Sequence, residues 1–307
     1  MDVRAKYINS GEYIHIVESA AQAIFTVCAF LALFAVGSIT FYMVANGVPA
    51  LYKIGIKDIL FSAAWKPTAQ EPEFGILYIV LTSIVGTALA IMIGVPAALL
   101  TAVFLAEIAP KSLAAVVKPS VELLAGIPSV VYGLLGMMVL TPLVYKWEQN
   151  LYHGSETHQF TGGANLLSAV LVLAVMILPT VVSISESAIR AVPPELKASS
   201  MALGASHVQT IFGVILPAAK PGIITAIVLG VGRAVGEAMA ISMVSGGCVN
   251  FPLPFQSVRF LTTAIVSEMG YAGGLHRQVL FTVGLVLFGF IIIVNLMLNR
   301  ILRREGE

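Results

Sequence analysis

The chain has 307 residues, 58% of them hydrophobic and only 11% charged, with a formal net charge of +1. Soluble domains carry about a quarter charged residues, so too few polar side chains remain here to coat a water-facing surface, and lipid must solvate much of the exterior. The near-neutral balance points to neither nucleic acid nor an acidic partner. The two cysteines, Cys28 and Cys248, are far apart, form no metal-ligand or redox pattern, and read as small apolar packing residues.

A membrane-crossing helix needs about 20 apolar residues. The first such run, Ala20 to Val44, is uncharged. It exceeds the roughly 7–15-residue core of a cleavable signal peptide, so it reads as a retained anchor helix. The second runs from Gly75 to Leu105, where Gly94 and Pro96 are expected to bend it. The third covers Leu123 to Val144 and contains Pro128; the fourth covers Asn165 to Ile184, with Pro179 near its end. The fifth, Ile223 to Val244, contains Arg233 and Glu237, and the sixth, Val279 to Leu298, is uncharged. The runs lack the in–out alternation of lipid-facing barrel strands, so an all-α polytopic membrane protein of about six transmembrane helices is expected.

Basic residues in the loops set the orientation. With the N-terminus cytoplasmic, the inner segments hold Arg4, Lys6, Lys111, Lys118, Arg190, Lys197, Lys220, Arg300, Arg303 and Arg304. The outer segments hold Lys53, Lys57, Lys66, Lys146, Arg259 and Arg277. This bias puts both termini and residues 186–222 inside the cell, and residues 46–74 and 249–278 outside.

Within the inner loop, Pro193 and Pro194 precede Glu195. Proline and an acid suit the first turn of a helix. Gly204 suits its left-handed end, and a second short helix is expected from Ser206 to Val214, stopped by Pro217. Two short helices at an angle would form a rigid knob; an ordinary amphipathic loop is the alternative.

In the fifth run, Arg233 and Glu237 are four residues apart and expected on one helix face. Gly232 and Gly236 have the same spacing and allow close approach. A mid-membrane arginine is expensive and faces protein, a partner or a polar path. Two readings stand: a structural ion pair, or a planar donor fork for a crossing anion, held by Glu237 when no substrate is present. Pro128 either lines such a path or bends a packed helix, and Ser129 and Tyr132 are candidate polar partners there. Lys118 and Glu122 read as a surface pair. His153, His158 and His276 read as solvated outer-loop residues, and no metal site is expected. There is no G-x-x-x-x-G-K-[ST] loop, so any ATP would be hydrolysed by another chain.

The 190–222 loop resembles the signature of permease subunits of binding-protein-dependent (MetI-like) ABC importers: a triplet, here Ala198, Ser199 and Ser200, then Gly204, then Val214, Leu216 and Pro217. The usual acid of the triplet is replaced by Ala198, with Glu195 one helical turn away. GRAVGEAMAI from Gly232 is similar to a segment of the phosphate-specific permeases, with Ala238 where that pattern has threonine. Glu122 to Gly133, Trp65 to Ile76 and Leu261 to Phe281 also resemble these permeases, the last in its C-type subunit.

The resemblance implies a type I ABC importer permease fold. Residues 1–74 would be an anchor helix and periplasmic loop, 75–300 the permease core, and 301–307 a cytoplasmic tail. It implies an inner-membrane subunit without cofactor or catalysis, paired with an A-type permease, two ATPase subunits and a periplasmic phosphate-binding protein. Arg233, Glu237, Pro128, Ser129 and Tyr132 would line the phosphate path. Glu195, Ala198, Ser199, Ser200, Gly204, Leu216 and Pro217 would couple it to the ATPase. Import of another oxyanion, such as sulfate or molybdate, is the alternative; a lone secondary transporter and an intramembrane enzyme are more remote.

Overall fold

The computed structural model describes residues 3–155 and 157–304. It is all-α apart from one two-stranded hairpin, and six of its helices are long and apolar enough to cross a membrane. Helix α1 (Val3–Ile54) is followed by α2 (Ile56–Phe61) and by strands β1 (Trp65–Lys66) and β2 (Glu73–Phe74), which pair antiparallel. Helix α3 (Leu77–Val103) is extended by a π-helical turn, Phe104–Ile108. Then come α4 (Lys111–Gly126), α5 (Ser129–Leu135), a second π turn (Gly136–Leu140) and α6 (Thr141–Leu151). The long helix α7 (Leu166–Arg190) leads to α8 (Pro194–Ala202) and α9 (His207–Thr210). A third π turn (Ile211–Ile215) joins α9 to α10 (Leu216–Gly236), and α11 (Met239–Val244), α12 (Leu261–Glu268) and α13 (Gly274–Arg304) complete the chain.

Helix α7 is the axis of the molecule and the most buried span. Asn165 caps its start, its side chain accepting from the Ser168 N–H at 3.1 Å. Small residues let α3 and α10 approach it closely, as lipid-embedded packing favours. A Cβ on Gly94 would lie 3.0 Å from the Ala174 carbonyl oxygen, and one on Gly230 would lie 2.6 Å from Val181. Helix α1 differs: among its described side chains packing is confined to the C-terminal part, with Gly47 against the α13 backbone and Tyr42 edge-on to Phe281 at 5.4 Å. Its large apolar side chains from Val17 to Ile39 are exposed.

Three expectations are corrected. The third span is not continuous through Pro128; it starts at Ser129 and runs to Leu151. Proline disfavours the α conformation in the residue before it, and Ile127 accordingly takes φ −69°, ψ 130°. The fifth span is not one helix to Val244: α10 ends at Gly236, and Glu237 is extended at φ −72°, ψ 127°. Pro217 does not stop the second knob helix. The π turn before it loosens the ladder, so the proline falls in the first turn of α10 and the crossing helix runs from His207 to Gly236. Residues 301–304 continue α13, and 305–307 of the expected tail lie outside the described residues.

Candidate functional site

The breaks in the third and fifth spans are neighbours, because the half-helices that follow them pack together. A Cβ on Gly133 of α5 would sit 2.8 Å from the Ala240 Cα of α11. Backbone groups freed at membrane depth need partners inside the protein, and both breaks have them. Pro128 has no N–H for the Leu124 carbonyl, which accepts the Ile127 N–H at 3.2 Å and the Tyr132 hydroxyl at 2.7 Å instead. The Glu237 carbonyl receives the Thr262 hydroxyl at 2.8 Å, and the Glu237 carboxylate accepts the Ala240 N–H at 3.0 Å.

Glu237 therefore serves the start of α11 and does not hold Arg233; among the described residues no ion pair joins the two. Arg233 reaches across to α7 and donates to the Thr180 hydroxyl at 3.2 Å. Thr180 is ten residues, about 15 Å, from the C-terminal end of α7 at Arg190. Arg233 and Glu237 are half-buried, as is Ser129, and Tyr132 lies within electrostatic range of Arg233. Gly232 and Gly236 are exposed, with nothing within 4 Å of a Cβ position. Arg233 thus sits beside an open side of α10.

Beyond the C-terminal end of α7, α8 and α9 form the knob. Gly204 takes φ +88°, a conformation costly for any residue with a Cβ. Ser206 and Gln209 cap α9 reciprocally. Ser200 bonds Thr210 at 3.0 Å, tying the two helices together. Glu195, Ala198, Ser199, Gly204 and Pro217 are exposed and Leu216 is half-buried. Leu203, 90% exposed, stands at the tip with Met201. The base of the knob is anchored to the π turn after α3: Lys197 pairs with Glu107, His207 lies 3.5 Å from Glu107, and Arg190 donates to the Leu105 carbonyl at 2.8 Å. Lys118 does not pair with Glu122. It bonds Glu186 of α7 at 3.0 Å, and Arg190 shares that carboxylate.

Two clusters at the end of the bundle away from the knob carry residues that sequence reasoning missed. Glu268, 4% exposed, accepts from Trp65 Nε1 at 3.1 Å, from His276 Nε2 at 2.7 Å and from Arg259. Glu148 is fully buried and accepts from His158 Nε2, the Thr161 N–H and the Thr161 hydroxyl, each at 2.9 Å. That hydroxyl also accepts from the Gly163 N–H and from Asn165 Nδ2, so its own proton points to Glu148. His158, stacked 3.7 Å from Tyr152, and His276 are thus enclosed rather than solvated, while His153 is exposed. An acid at the end of an apolar helix with a histidine eight to ten residues away was the available signal. Cys28 and Cys248 are exposed rather than packed inside the chain.

Residues 94–306 match the family described as "Binding-protein-dependent transport system inner membrane component". A "Probable ABC transporter permease protein YqgH" of Bacillus subtilis is 37% identical over 98% of this chain and 97% of its own length. A "Phosphate transport system permease protein PstC" of Haemophilus influenzae is 32% identical over 98% of both chains. Among solved structures, a chain of a bacterial alginate ABC transporter covers 90% of this chain and 94% of its own at TM-score 0.57 and 16% identity. A chain of the MetNI methionine ABC transporter covers 75% and 94% at TM-score 0.53 and 22% identity. At such identities the structural likeness speaks for the fold alone.

Proposed function

The chain belongs to the binding-protein-dependent transport system inner membrane components, and from that premise we propose that it is the C-type permease subunit of an ATP-driven phosphate importer. It is a conduit and lever in the inner membrane, without catalysis of its own. The name shared by its phosphate-transport relatives supports the substrate. The observation that carries the reading is Arg233: a guanidinium well inside a span that gives one bond to Thr180 and, among the described residues, no other, beside two broken helices.

Non-helical backbone at membrane depth is tolerated where it is enclosed by protein or lines a polar cavity. An A-type permease lying against the open side of α10, at Gly232 and Gly236, would close such a cavity over Arg233. Phosphate suits a planar fork of charged donors. Ser129 stands at the edge of the same station, while Pro128, Tyr132 and Glu237 hold the breaks in shape.

A periplasmic phosphate-binding protein would dock on residues 46–74 and 249–278. Each of two ATPase subunits would engage one knob, formed in this chain by Glu195 to Pro217. The bias of loop charge supports a cytoplasmic knob and cytoplasmic termini. Because α9 continues into α10, a push on the knob would travel along one helix to Arg233.

Arg233→Gln tests the assignment. Charged hydrogen bonds contribute about 1.5–3 kcal/mol, so phosphate uptake by the assembled importer should fall roughly 10- to 100-fold with the subunits still associated. Full uptake by that variant removes Arg233 from the path.

A further inference from the structure

The contact between Arg233 and Thr180 leaves one proton without an acceptor. Arginine only donates, so in this 3.2 Å bond the threonine oxygen accepts and its own hydroxyl proton points elsewhere. Other helical hydroxyls spend that proton on the carbonyl four residues back, as Thr101 does in α3, Ser120 in α4, Ser187 in α7 and Thr225 in α10. Thr180 does not: among the described residues its hydroxyl bonds Arg233 alone. Tyr132, by contrast, gives its proton to the Leu124 carbonyl, and Glu237 is turned to the Ala240 N–H.

We propose that Thr180 is a second ligand of the crossing anion, its hydroxyl donating to the oxyanion that Arg233 holds, an assignment that rests on Arg233 being the anion's station. The two side chains come from different helices, α10 and α7, and their polar atoms lie 3.2 Å apart. One anion oxygen at about 2.7–3.0 Å from each closes that triangle with ordinary hydrogen-bond lengths. Thr180 is half-buried, ten residues from the C-terminal end of α7, where a donor counts for more than it does in water. A hydroxyl also adds a bond without adding charge. Neutral hydrogen bonds are weaker than charged ones, so Thr180 helps to hold the anion without deepening the trap that a second cation would make. With the station empty, the same oxygen gives the guanidinium an acceptor. Thr180 thus serves both states.

Uptake of labelled inorganic phosphate by the assembled importer, in proteoliposomes with its binding protein, tests this. Thr180→Val keeps the shape and removes the hydroxyl, so the maximal rate should fall roughly 2- to 10-fold with the subunits still associated. Thr180→Ala keeps the test readable where the valine variant fails to assemble, and Thr180→Ser should restore most of the rate. Ser187→Ala, on the same helix, should leave the rate unchanged, because that proton is already spent on the Ser183 carbonyl. With Arg233→Gln in place, Thr180→Val should lower the residual rate again, since a ligand acts on the anion without the guanidinium. No further fall in that background would make Thr180 a support for Arg233 only and overturn the proposal. So would full uptake with Thr180→Val, a serine variant as poor as the valine one, or an equal loss with Ser187→Ala. Full uptake with Arg233→Gln defeats the station itself, whereas the expected loss there beside an unaffected Thr180→Val defeats the second ligand alone.

Discussion

At the end of the bundle away from the knob, Glu148 and Glu268 are almost wholly enclosed, and each accepts hydrogen bonds from three donors. At the knob end, Glu107 and Glu186 hold Lys197, Lys118 and Arg190, whose side chains stay 35–47% exposed. The same residue types therefore do different work. A desolvated carboxylate cannot lose a partner cheaply, because water does not replace it. A half-exposed cation can, because solvent takes over much of its charge. The loops that hold Glu148 and Glu268 are built to present one shape; at the knob Glu186 and Glu107 are themselves only 2% and 10% exposed, so it is the solvated cations that can be exchanged, not the carboxylates.

The sharpest way to break this contrast is Glu268→Ala, which strands Arg259 and His276. Removing one member of a buried charge network destabilises by about 3–5 kcal/mol, and thermal denaturation of the assembled importer should show it. A change below about 1 kcal/mol would mean that the outer cluster behaves like a surface pair. Gly204→Val comes next. A side chain held at this left-handed geometry costs about 1–3 kcal/mol, and the altered knob should hydrolyse ATP without moving phosphate. Normal coupling would remove the knob as the lever. The smallest stability effect is expected for Lys197→Ala, below about 1 kcal/mol, with coupling weakened because the link to Glu107 is gone. A loss as large as that of Glu268→Ala would erase the distinction between the two ends.

Much of the architecture was legible because lipid is an undemanding reader: a helix that crosses it must show a long apolar run, and six such runs are visible in the chain. The start of the knob was legible from the proline pair, and its turn from Gly204. Partner choice was not. Four-residue spacing nominated Glu122 for Lys118 and Glu237 for Arg233, yet the partners are Glu186 and Thr180, 68 and 53 residues away in sequence. Spacing ranks only neighbours on one helix, and a helix break or an adjacent span overrules it. Pro128 showed where a break was possible, but only the Tyr132 hydroxyl on Leu124 shows how the break is stabilised.

From the residues alone follow the membrane as solvent, the number of spans, the separation of chemistry from conduit and the family motifs, since each depends on composition or short-range order. The tertiary structure alone decided where the spans break, which acids are enclosed, and that the second knob helix runs unbroken into the span bearing Arg233. These features depend on which helices lie side by side. At close range in a low-dielectric interior, a neighbour brought in by packing outweighs any partner that mere proximity along the chain would suggest.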